Sequence, residues 1–482
     1  MDFVNFFSKT EVERIHKASL ELLEDVGILV HNEKARNIYA KHGCLVDTNT
    51  GIVKFPPKLV EEYRKMLPPT YTFLAQDPQY DRVLPDNRPV VVTASSAPNV
   101  LDPKTGIVRR GTSSDIANIA HLINELPGFD VMSISTLADD APKGQISISR
   151  FYPALKNCKK PVRSNTPSVE QLQMVLDLGA QIAGSKEAYM ERPFINHHYC
   201  PMVAPLTMEV DSADCCIYLL EQGLPVYVTI VPNAGLTSPM SMLGSMTVGN
   251  AEFLAYACMT QMIRPGAPII YAVLSTVADM RTGNYASGAI ETGIQQMAHT
   301  EMAKFYGVPS GGYIGLTNAH SNDAQSGYET GMNTALALMG GADLFNMGGL
   351  LDGLMTVDFA KLVIDNEIAL MLKKAKEGVP FSEDDLCLDL IKQVGPGGLY
   401  MDQEHTLTNM RKAAFYPKLA AREARSQWEE AGKPDITVHA MAEAKRILSV
   451  ENPARFTDDL DAKIRAHFPG LVPGDAGVGW RD

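Results

Sequence analysis

Short apolar runs alternate with longer segments of helical periodicity along the middle of the chain. Each run leads into a polar or Gly/Pro-containing loop and then into a helical segment. The eight runs cover residues 89–96, 129–136, 161–165, 193–200, 224–232, 267–275, 309–317 and 342–349. Consecutive apolar positions are typical of strands buried on both faces, and strands that alternate with helices indicate parallel βαβ units.

The helical segments between these runs decide which α/β fold is predicted. They include residues 168–183, 207–222, 249–263, 286–306 and 323–340, and another follows the last run at 356–376. Eight strand–helix units within residues 86–376 predict a (β/α)8 barrel. An open doubly wound sheet is the alternative fold. The even number of runs, and the absence of a GxGxxG motif after any of them, favour the barrel.

The pattern differs on both sides of this central region. Residues 1–85 predict helices packed on a small hairpin, since "CLVDTNTGIVKFPP" reads as two short strands around an Asn-Thr-Gly turn. Residues 377–482 predict a charged helical extension with a Gly-Pro-Gly-Gly break at 395–398 and a loose tail from residue 470. We therefore expect three regions, with boundaries near residues 85 and 376.

Composition and charge exclude several classes of function. The chain has 482 residues and a formal net charge of −13, which argues against a nucleic-acid partner because no basic surface offsets phosphate repulsion. No apolar run reaches the roughly 18 residues that a membrane span needs, and no N-terminal signal pattern is present. Seven scattered cysteines suit reduced, buried thiols. We expect a cytoplasmic protein without a membrane partner.

The polar residues at the predicted strand ends mark the expected site, because reactive groups of such barrels lie on the loops after the strands. These residues are Ser95, Ser96, Asn99, Asp139, Asp140, Ser164, Asn165, His197, His198, Tyr199, Asn233, Ser275, Thr276, Asn318, His320 and Asn346. The set is largely uncharged and has aromatic neighbours such as Tyr313 and Phe345. It lacks a phosphate-binding cluster and paired glutamates. It fits a cationic organic ligand, which aromatic faces can hold.

Two of these positions also have ordinary structural explanations. His197 and His198 are adjacent, so strand alternation allows at most one of them to line the barrel. His320 lies in a polar turn before "SNDAQ", and the start of a helix would explain that composition without any chemistry.

A zinc site is the alternative that the cysteines raise. The pair His198-x-Cys200 precedes Cys215, Cys216 and Cys258, and zinc-dependent barrel methyltransferases combine a His-x-Cys pair with a later cysteine. The later cysteines fall within apolar helical segments, where cysteine is usually a packing residue. We therefore predict no bound metal.

Seven segments, in order, carry a resemblance to a known family. They are "IHKASLELLEDVGI" (15–28), "DPKTGIVRRGTSSDIANIAHLINELPGFD" (102–130), "SMLGSMTVGNAEFLA" (241–255), "ADMRTG" (278–283), "GLTNAHSNDAQSGYE" (315–329), "ADLFNMGGLLDG" (342–353) and "YMDQEHTLTNMR" (400–411). By these the chain resembles the trimethylamine methyltransferase superfamily, particularly its members without pyrrolysine. Those members demethylate quaternary amines such as glycine betaine, proline betaine or carnitine.

The resemblance makes His320 the candidate catalytic residue. The founding enzymes carry pyrrolysine in the loop that matches "GLTNAHSNDAQ" (315–325), and ungapped matching puts that position on His320 or within a residue or so of it. The resemblance implies that this loop walls the pocket above the methyl group. The ordinary amino acid here puts trimethylamine itself in doubt as the substrate.

The resemblance also implies the reaction and its partners. A methyl group would move from a quaternary amine to the Co(I) centre of a corrinoid (cobalamin-type) cofactor that a separate cognate protein carries, so no cofactor is bound tightly by this chain. The expected substrate-binding residues are Tyr313, Asn346, Phe345, His198, Tyr199, Asn165, Asn318 and Arg281. A substrate carboxylate would meet Arg281 or one of the amides. A homo-oligomer with an exposed barrel rim is expected. The alternatives are a zinc-dependent methyltransferase and a non-catalytic betaine-binding protein.

Overall fold

The computed structural model describes residues 3–480 and shows a mixed α/β chain. Strands and helices alternate through the middle of the chain, and helices dominate at both ends. Seven of the eight predicted strands form. A parallel sheet of four contains Met132–Ser133, Val162–Ser164, Ile195–Tyr199 and Val226–Val228, and a parallel sheet of three contains Gly311–Tyr313, Leu344–Asn346 and Val90–Val92.

The predicted sixth strand is not a continuous strand. Residues 267–275 contribute only isolated parallel bridges, from Tyr271 to Ser310 and from Val273 to Ile230. The backbone there still bonds to both neighbours, because Tyr271 N–H donates to the Pro309 carbonyl and Leu274 N–H donates to the Ile230 carbonyl. This segment therefore fills the gap between the two sheets without a regular ladder on either side.

The pairings connect the eight segments in a cyclic order. A further isolated bridge joins Val92 to Val131, so the first segment contacts the second. The eighth segment, Leu344–Asn346, pairs in parallel with the first, Val90–Val92. Each segment is thus paired with or bridged to the next, and we call these eight segments the strand ring.

Helices follow the segments of the ring much as the periodicity predicts. They are Ser113–Glu125, Ile148–Asn157, Val169–Ala183, Lys186–Glu191, Asp211–Glu221, Met242–Ile263, Ile290–Tyr306, Ala324–Gly340 and Phe359–Glu377. The helix predicted at 249–263 begins seven residues earlier, at Met242. It starts after Ser241, whose side chain accepts a hydrogen bond from Gly244 N–H. The Asp323 side chain caps the Ala324–Gly340 helix in the same way.

A hairpin covers the end of the ring at which its strands begin. Its strands are Tyr71–Phe73 and Arg82–Leu84, and their side chains cluster with Val90, Tyr227 and other ring residues. Arg82 forms an ion pair with Asp130, just before the second strand, at 3.2 Å. This end of the ring is therefore closed, and a ligand must approach from the end at which the strands finish.

Two small sheets surround that second, open end. One contains Leu350–Leu351, Thr356–Val357, Asn99–Leu101 and Val108–Arg110, and the other contains Asn233–Ala234, Thr276–Asp279 and Asn284–Ala286. All of them belong to loops that follow ring segments. The loops therefore build the rim.

The N-terminal region contains the helices Lys9–Asp25, Glu33–Lys41 and Pro57–Arg64 and the hairpin of Leu45–Val46 with Ile52–Lys54. Gly51 in the hairpin turn has a φ of +77°, a conformation that glycine adopts without strain. Ile28–Val30 pairs in parallel with Thr207–Met208, which pairs with Met202–Val203. This sheet attaches the N-terminal region to the loop after the fourth strand.

The C-terminal helices are Leu388–Val394, Glu404–Ala413, Arg425–Glu430, Ile436–Leu448 and Asp458–His467. The expectation of a loose tail from residue 470 is wrong for the described part, because Asn157 Nδ2 donates to the Gly474 carbonyl at 2.8 Å and Trp480 packs against Phe359. Buried carbonyl and aromatic partners thus tie the tail to the body. Within residues 3–480, no helix combines the length and the apolarity that a bilayer crossing needs.

Glu252 on the Met242–Ile263 helix gives the fold a testable pH dependence. Its side chain is fully buried, one oxygen accepts from Leu206 N–H at 2.6 Å, and the other has no partner among the described residues. Burial raises the pKa of Glu252 from its ordinary 4.5 to about 7. The folded state therefore holds a proton that the unfolded state releases between these values, so stability falls as the pH rises from about 4.5 to about 7.

We predict that Glu252→Gln raises the unfolding midpoint at pH 8 and leaves it nearly unchanged at pH 4.5, since the amide needs no ionisation. The free energy of unfolding at pH 8 should increase by on the order of 3 kcal/mol, the free-energy equivalent of the pKa shift. Thermal unfolding followed by circular dichroism at both pH values measures it, with the exposed Glu24→Gln as the control. An equal effect of Glu252→Gln at both pH values would contradict the prediction.

Candidate functional site

Side-chain alternation separates the inside of the strand ring from its helix-covered outside. Val90, Val92 and Leu344 cluster inside with Tyr227 and the closing hairpin. Their neighbours Val91 and Phe345 belong instead to the core beneath the helices. Alternation from Leu344 therefore puts Asn346 inside, and pairing of Tyr313 with Asn346 puts Tyr313 on the same face.

Arg163 is the charged residue of the interior. Its side chain is fully buried in the third strand, and its Nε donates to Ser133 Oγ at 2.6 Å. The guanidinium carbon lies 4.5 Å from the centroid of the Tyr227 ring, within cation–π range. Neither Nη1 nor Nη2 has a hydrogen-bond partner within the described chain. The interior thus presents four guanidinium N–H bonds with no acceptor.

Tyr227 is the centre of an aromatic group. The His198 ring stacks on it at a centroid distance of 4.8 Å, and His198 Nε2 lies 2.8 Å from Thr229 Oγ1. Asn346 Nδ2 donates to the Tyr227 hydroxyl at 2.9 Å, while its Oδ1 has no partner among the described residues. These four side chains come from the fourth, fifth and eighth segments. Residues that are far apart in the sequence are therefore neighbours inside the ring.

Tyr313 extends this group toward the rim. Its ring centroid is 6.1 Å from that of His198, and its hydroxyl lies 2.5 Å from Ser95 Oγ at the end of the first strand. Burial raises the pKa of Tyr313 to about 12. Burial also lowers the pKa of His198 well below its usual value, and the charge of Arg163 lowers it further. Both side chains are therefore neutral near pH 7, which suits binding better than proton transfer.

Arg150 occupies the edge of the open end. Its Nη2 donates to Ser164 Oγ at 2.9 Å and to Ser96 Oγ at 3.2 Å, and its Nη1 lies 3.4 Å from Asn165 Oδ1. Burial lowers the pKa of Arg150 to about 10, so it stays charged at neutral pH. Asn165, an expected substrate ligand, is exposed here and holds Arg150 at the rim.

The structure does not bring Phe345 and Tyr199 into the interior group. Phe345 packs beneath the helices, and Tyr199 lies in a second helix-facing core, where its hydroxyl is 2.7 Å from Thr166 Oγ1. Each is one position away from an interior residue, Asn346 or His198, so alternation sends it to the opposite face.

Three further expected residues lie in the loops around the open end. The Asn318 side chain accepts from Gly288 N–H at 2.9 Å and donates to the Tyr285 carbonyl at 2.9 Å, so it joins two loops. Arg281 is 88% exposed and its guanidinium is engaged by Asp279 within the same turn. His320 is 84% exposed, with Nδ1 2.8 Å from Asp352 Oδ1. None of the three contacts the interior group.

The structure also shows interior residues that the sequence reading missed, namely Arg163, Tyr227, Thr229 and Ser133. A usable signal existed for Arg163. It is a lone arginine within "PVRSN", a run predicted to be a strand buried on both faces, where a charge needs a specific reason. Tyr227 carried no such signal, because aromatic residues are ordinary in buried strands.

No metal-binding cluster of three or more His, Cys, Asp or Glu side chains occurs within residues 3–480. Cys215, Cys216 and Cys258 are buried in the helix-facing core, and Cys200 is exposed at the end of the fourth strand. The prediction that the protein binds no zinc stays a prediction, open to metal analysis.

Comparison with known proteins identifies similar chains. The family model described as trimethylamine methyltransferase (MTTB) matches residues 1–468. Trimethylamine methyltransferase MttB of Desulfitobacterium hafniense is 29% identical over 460 residues, which cover 95% of this chain and 92% of that protein. Glycine betaine methyltransferase of the same species is 29% identical, covering 96% of both chains. MttB of Methanosarcina barkeri is 30% identical, covering 92% of this chain and 90% of that protein.

Among solved structures, the monomethylamine methyltransferase of Methanosarcina barkeri aligns with a TM-score of 0.49 and 12% sequence identity. The alignment covers 98% of this chain and 90% of that chain.

Proposed function

Because the chain belongs to the trimethylamine methyltransferase family, we propose that it moves a methyl group from a quaternary amine to the Co(I) centre of a cognate corrinoid protein. The relatives are named as methyltransferases, and both trimethylamine and glycine betaine occur in their names. The observation that supports a quaternary amine is the pair of interior aromatic rings of His198 and Tyr313. Aromatic faces bind a cation that has no N–H to donate.

We further propose that the strand ring is a (β/α)8 barrel formed by residues 86–376, with 1–85 and 377–482 packed around it. The cyclic order of the parallel pairings supports this, as does the alternation of strands and helices. The closing hairpin blocks one end, so the corrinoid protein would approach the open end, where loops of such barrels carry the chemistry.

The corrinoid, when its carrier protein docks, supplies the nucleophile, so the chain itself needs none. The residues of the interior bind and orient the amine, and the buried surroundings exclude water. The leaving group is a neutral tertiary amine, and no proton has to move at the quaternary nitrogen. The neutral state of His198 agrees with this requirement, since a general base is dispensable.

We propose that His320 acts at the rim, where the docked corrinoid would meet the substrate. Its exposure and its contact with Asp352 place it on the open end rather than inside the ring. The role is consistent with the loop resemblance, which implies a wall beside the methyl group.

We also propose that the chain forms a homo-oligomer through residues 378–412, the projecting segment. Its two helices, Leu388–Val394 and Glu404–Ala413, bury no side chain, while Phe381 and Met401 are 77% and 83% exposed. Helices of this length are unstable alone in water. Contact with a second copy would cover these apolar side chains and stabilise the segment.

We predict that the purified protein methylates a cognate corrinoid protein from at least one of glycine betaine, proline betaine and carnitine, and not from trimethylamine. Tyr313→Leu should weaken substrate binding by roughly 0.5–2 kcal/mol because it removes an aromatic face, whereas Tyr313→Phe should retain it. The absorbance change of Co(I) follows the reaction, and the substrate dependence of its rate measures binding. A wild type that uses trimethylamine best would contradict the proposal.

His320→Ala is predicted to slow methyl transfer at saturating substrate while leaving the unfolding midpoint unchanged, because an exposed side chain contributes little packing. His31→Ala, a change at another exposed histidine, serves as the control and should keep the full rate. If His320→Ala also keeps the full rate, the loop after the seventh segment has no part in the reaction.

Light scattering should give a mass that is a multiple of the 52.6 kDa monomer. Phe381→Asp together with Met401→Asp should lower that mass, because a charge cannot be buried unpaired at an apolar contact. Substitution of the exposed Lys392→Asp in the same segment controls for charge alone. A wild-type monomer would contradict the oligomer and leave the proposed activity untouched.

A further inference from the structure

Arg163 differs from every other buried cation of the described chain in lacking acceptors for its charged end. The others all have oxygen partners: Lys361 has Asp365, Lys156 has Asp461 and Asp475, Lys160 has three backbone carbonyls, and Arg150 has Ser96, Ser164 and Asn165. Arg163 donates one hydrogen bond, from Nε to Ser133, and forms no ion pair within residues 3–480.

Such an arrangement is costly without a ligand. A buried guanidinium with four unsatisfied N–H bonds bears the desolvation penalty of its charge and recovers only the Nε hydrogen bond to Ser133 and the contact with Tyr227. Packing alone would favour an apolar residue at this position. A ligand that brings a negative charge would compensate the penalty.

The two free nitrogens indicate the shape of that negative group. Nη1 and Nη2 are the forked end of a planar guanidinium, which matches the two oxygens of a carboxylate in a bidentate pair. Ser133 holds Nε and so fixes the plane of the fork. The unpartnered Asn346 Oδ1 nearby is an acceptor, and it would not itself attract an anion.

The surroundings of Arg163 also discriminate between cations. A quaternary amine without an acid group would meet the guanidinium as a like charge in a region of low dielectric, which is strongly repulsive. A zwitterion carries its own compensating charge, so its carboxylate can pair with Arg163 while its ammonium group contacts the aromatic rings of His198 and Tyr313.

We propose that Arg163 binds the carboxylate of a betaine substrate, in which carboxylate and ammonium are a few bonds apart, and so excludes quaternary amines that lack an acid group. The proposal rests on the proposed function and assigns the residue that determines this specificity. It replaces the expectation that Arg281 receives the carboxylate, since Arg281 is exposed and paired with Asp279. With the carboxylate on Arg163, the ammonium group points toward Tyr313 and the open end.

Isothermal titration calorimetry on the purified full chain tests this directly. The probes are glycine betaine, carnitine and proline betaine, with choline and tetramethylammonium as cations that lack a carboxylate. The wild type should bind at least one carboxylate probe about tenfold or more tightly than choline. Arg163→Met should lose about 10- to 100-fold in affinity for that probe, because hydrogen bonds to a charged group are lost. It should bind choline at least as tightly as the wild type does, because a like charge is removed.

Arg163→Lys keeps the charge and removes the fork, so it should fall between the wild type and Arg163→Met. Arg281→Met is expected to bind as the wild type does. Thermal midpoints establish that each variant is folded. If Arg163→Met does not fold, Arg163→Lys and the comparison of ligands on the wild type decide the question.

The proposal is overturned if choline binds the wild type as tightly as every carboxylate probe, or if Arg281→Met rather than Arg163→Met loses affinity. The methyl-transfer assay separates this result from failure of the proposed function. Methylation of the corrinoid protein from choline would support the proposed function and contradict a zwitterionic substrate. If no amine is methylated but selective betaine binding through Arg163 is retained, the methyltransferase activity is contradicted and the carboxylate site is supported.

Discussion

A single buried positive charge constrains the interior of the strand ring. Arg163 is fully buried, its Nε is held by Ser133, and its guanidinium lies against the Tyr227 ring. A buried charge without a partner of opposite sign lowers the stability of a fold. The neutral state of His198 follows from the same cause, because burial and the nearby guanidinium both lower its pKa. The electrostatics of the interior therefore depend on this one side chain.

The closing hairpin decides from which side this interior is reached. Tyr71–Phe73 and Arg82–Leu84 cover the end at which the strands begin, and Asn196 Nδ2 donates to the Leu74 carbonyl of the same segment. The small sheets of the rim lie at the other end. Substrate and corrinoid protein would then share one entrance, with the interior residues holding the amine and the rim loops meeting the partner.

The order of elements could be predicted from the sequence to a large extent, and the site only in part. Consecutive apolar runs and helical periodicity determine where strands and helices form, and strong caps such as Asp323 sharpen the boundaries. Residues 267–275 read as a strand but form only bridges, since regular pairing depends on both neighbouring strands at once. Phe345 and Asn346 are adjacent in the eighth segment, and which of them faces inward depends on how this segment pairs with its neighbours.

A charged residue within a buried strand indicates the proposed site better than reactive residues in the loops do. Arg281 and His320 lie in polar loops, where solvent and the carboxylates of Asp279 and Asp352 satisfy their hydrogen-bonding groups. Arg163 lies in an apolar strand, where only a specific partner can satisfy its guanidinium. Tyr227 could not be identified from the sequence, because its cation partner, Arg163, is 64 positions away and contacts it only in the folded ring.

The most direct test of this account is an experimental structure of the wild-type chain with glycine betaine or carnitine bound. The account predicts the ligand inside the strand ring, with both carboxylate oxygens within hydrogen-bond distance of Arg163 Nη1 and Nη2 and the methyl groups facing His198, Tyr313 and the open end. A ligand whose carboxylate lies on Arg281 or elsewhere on the rim, with the Arg163 guanidinium still unpaired, would contradict it.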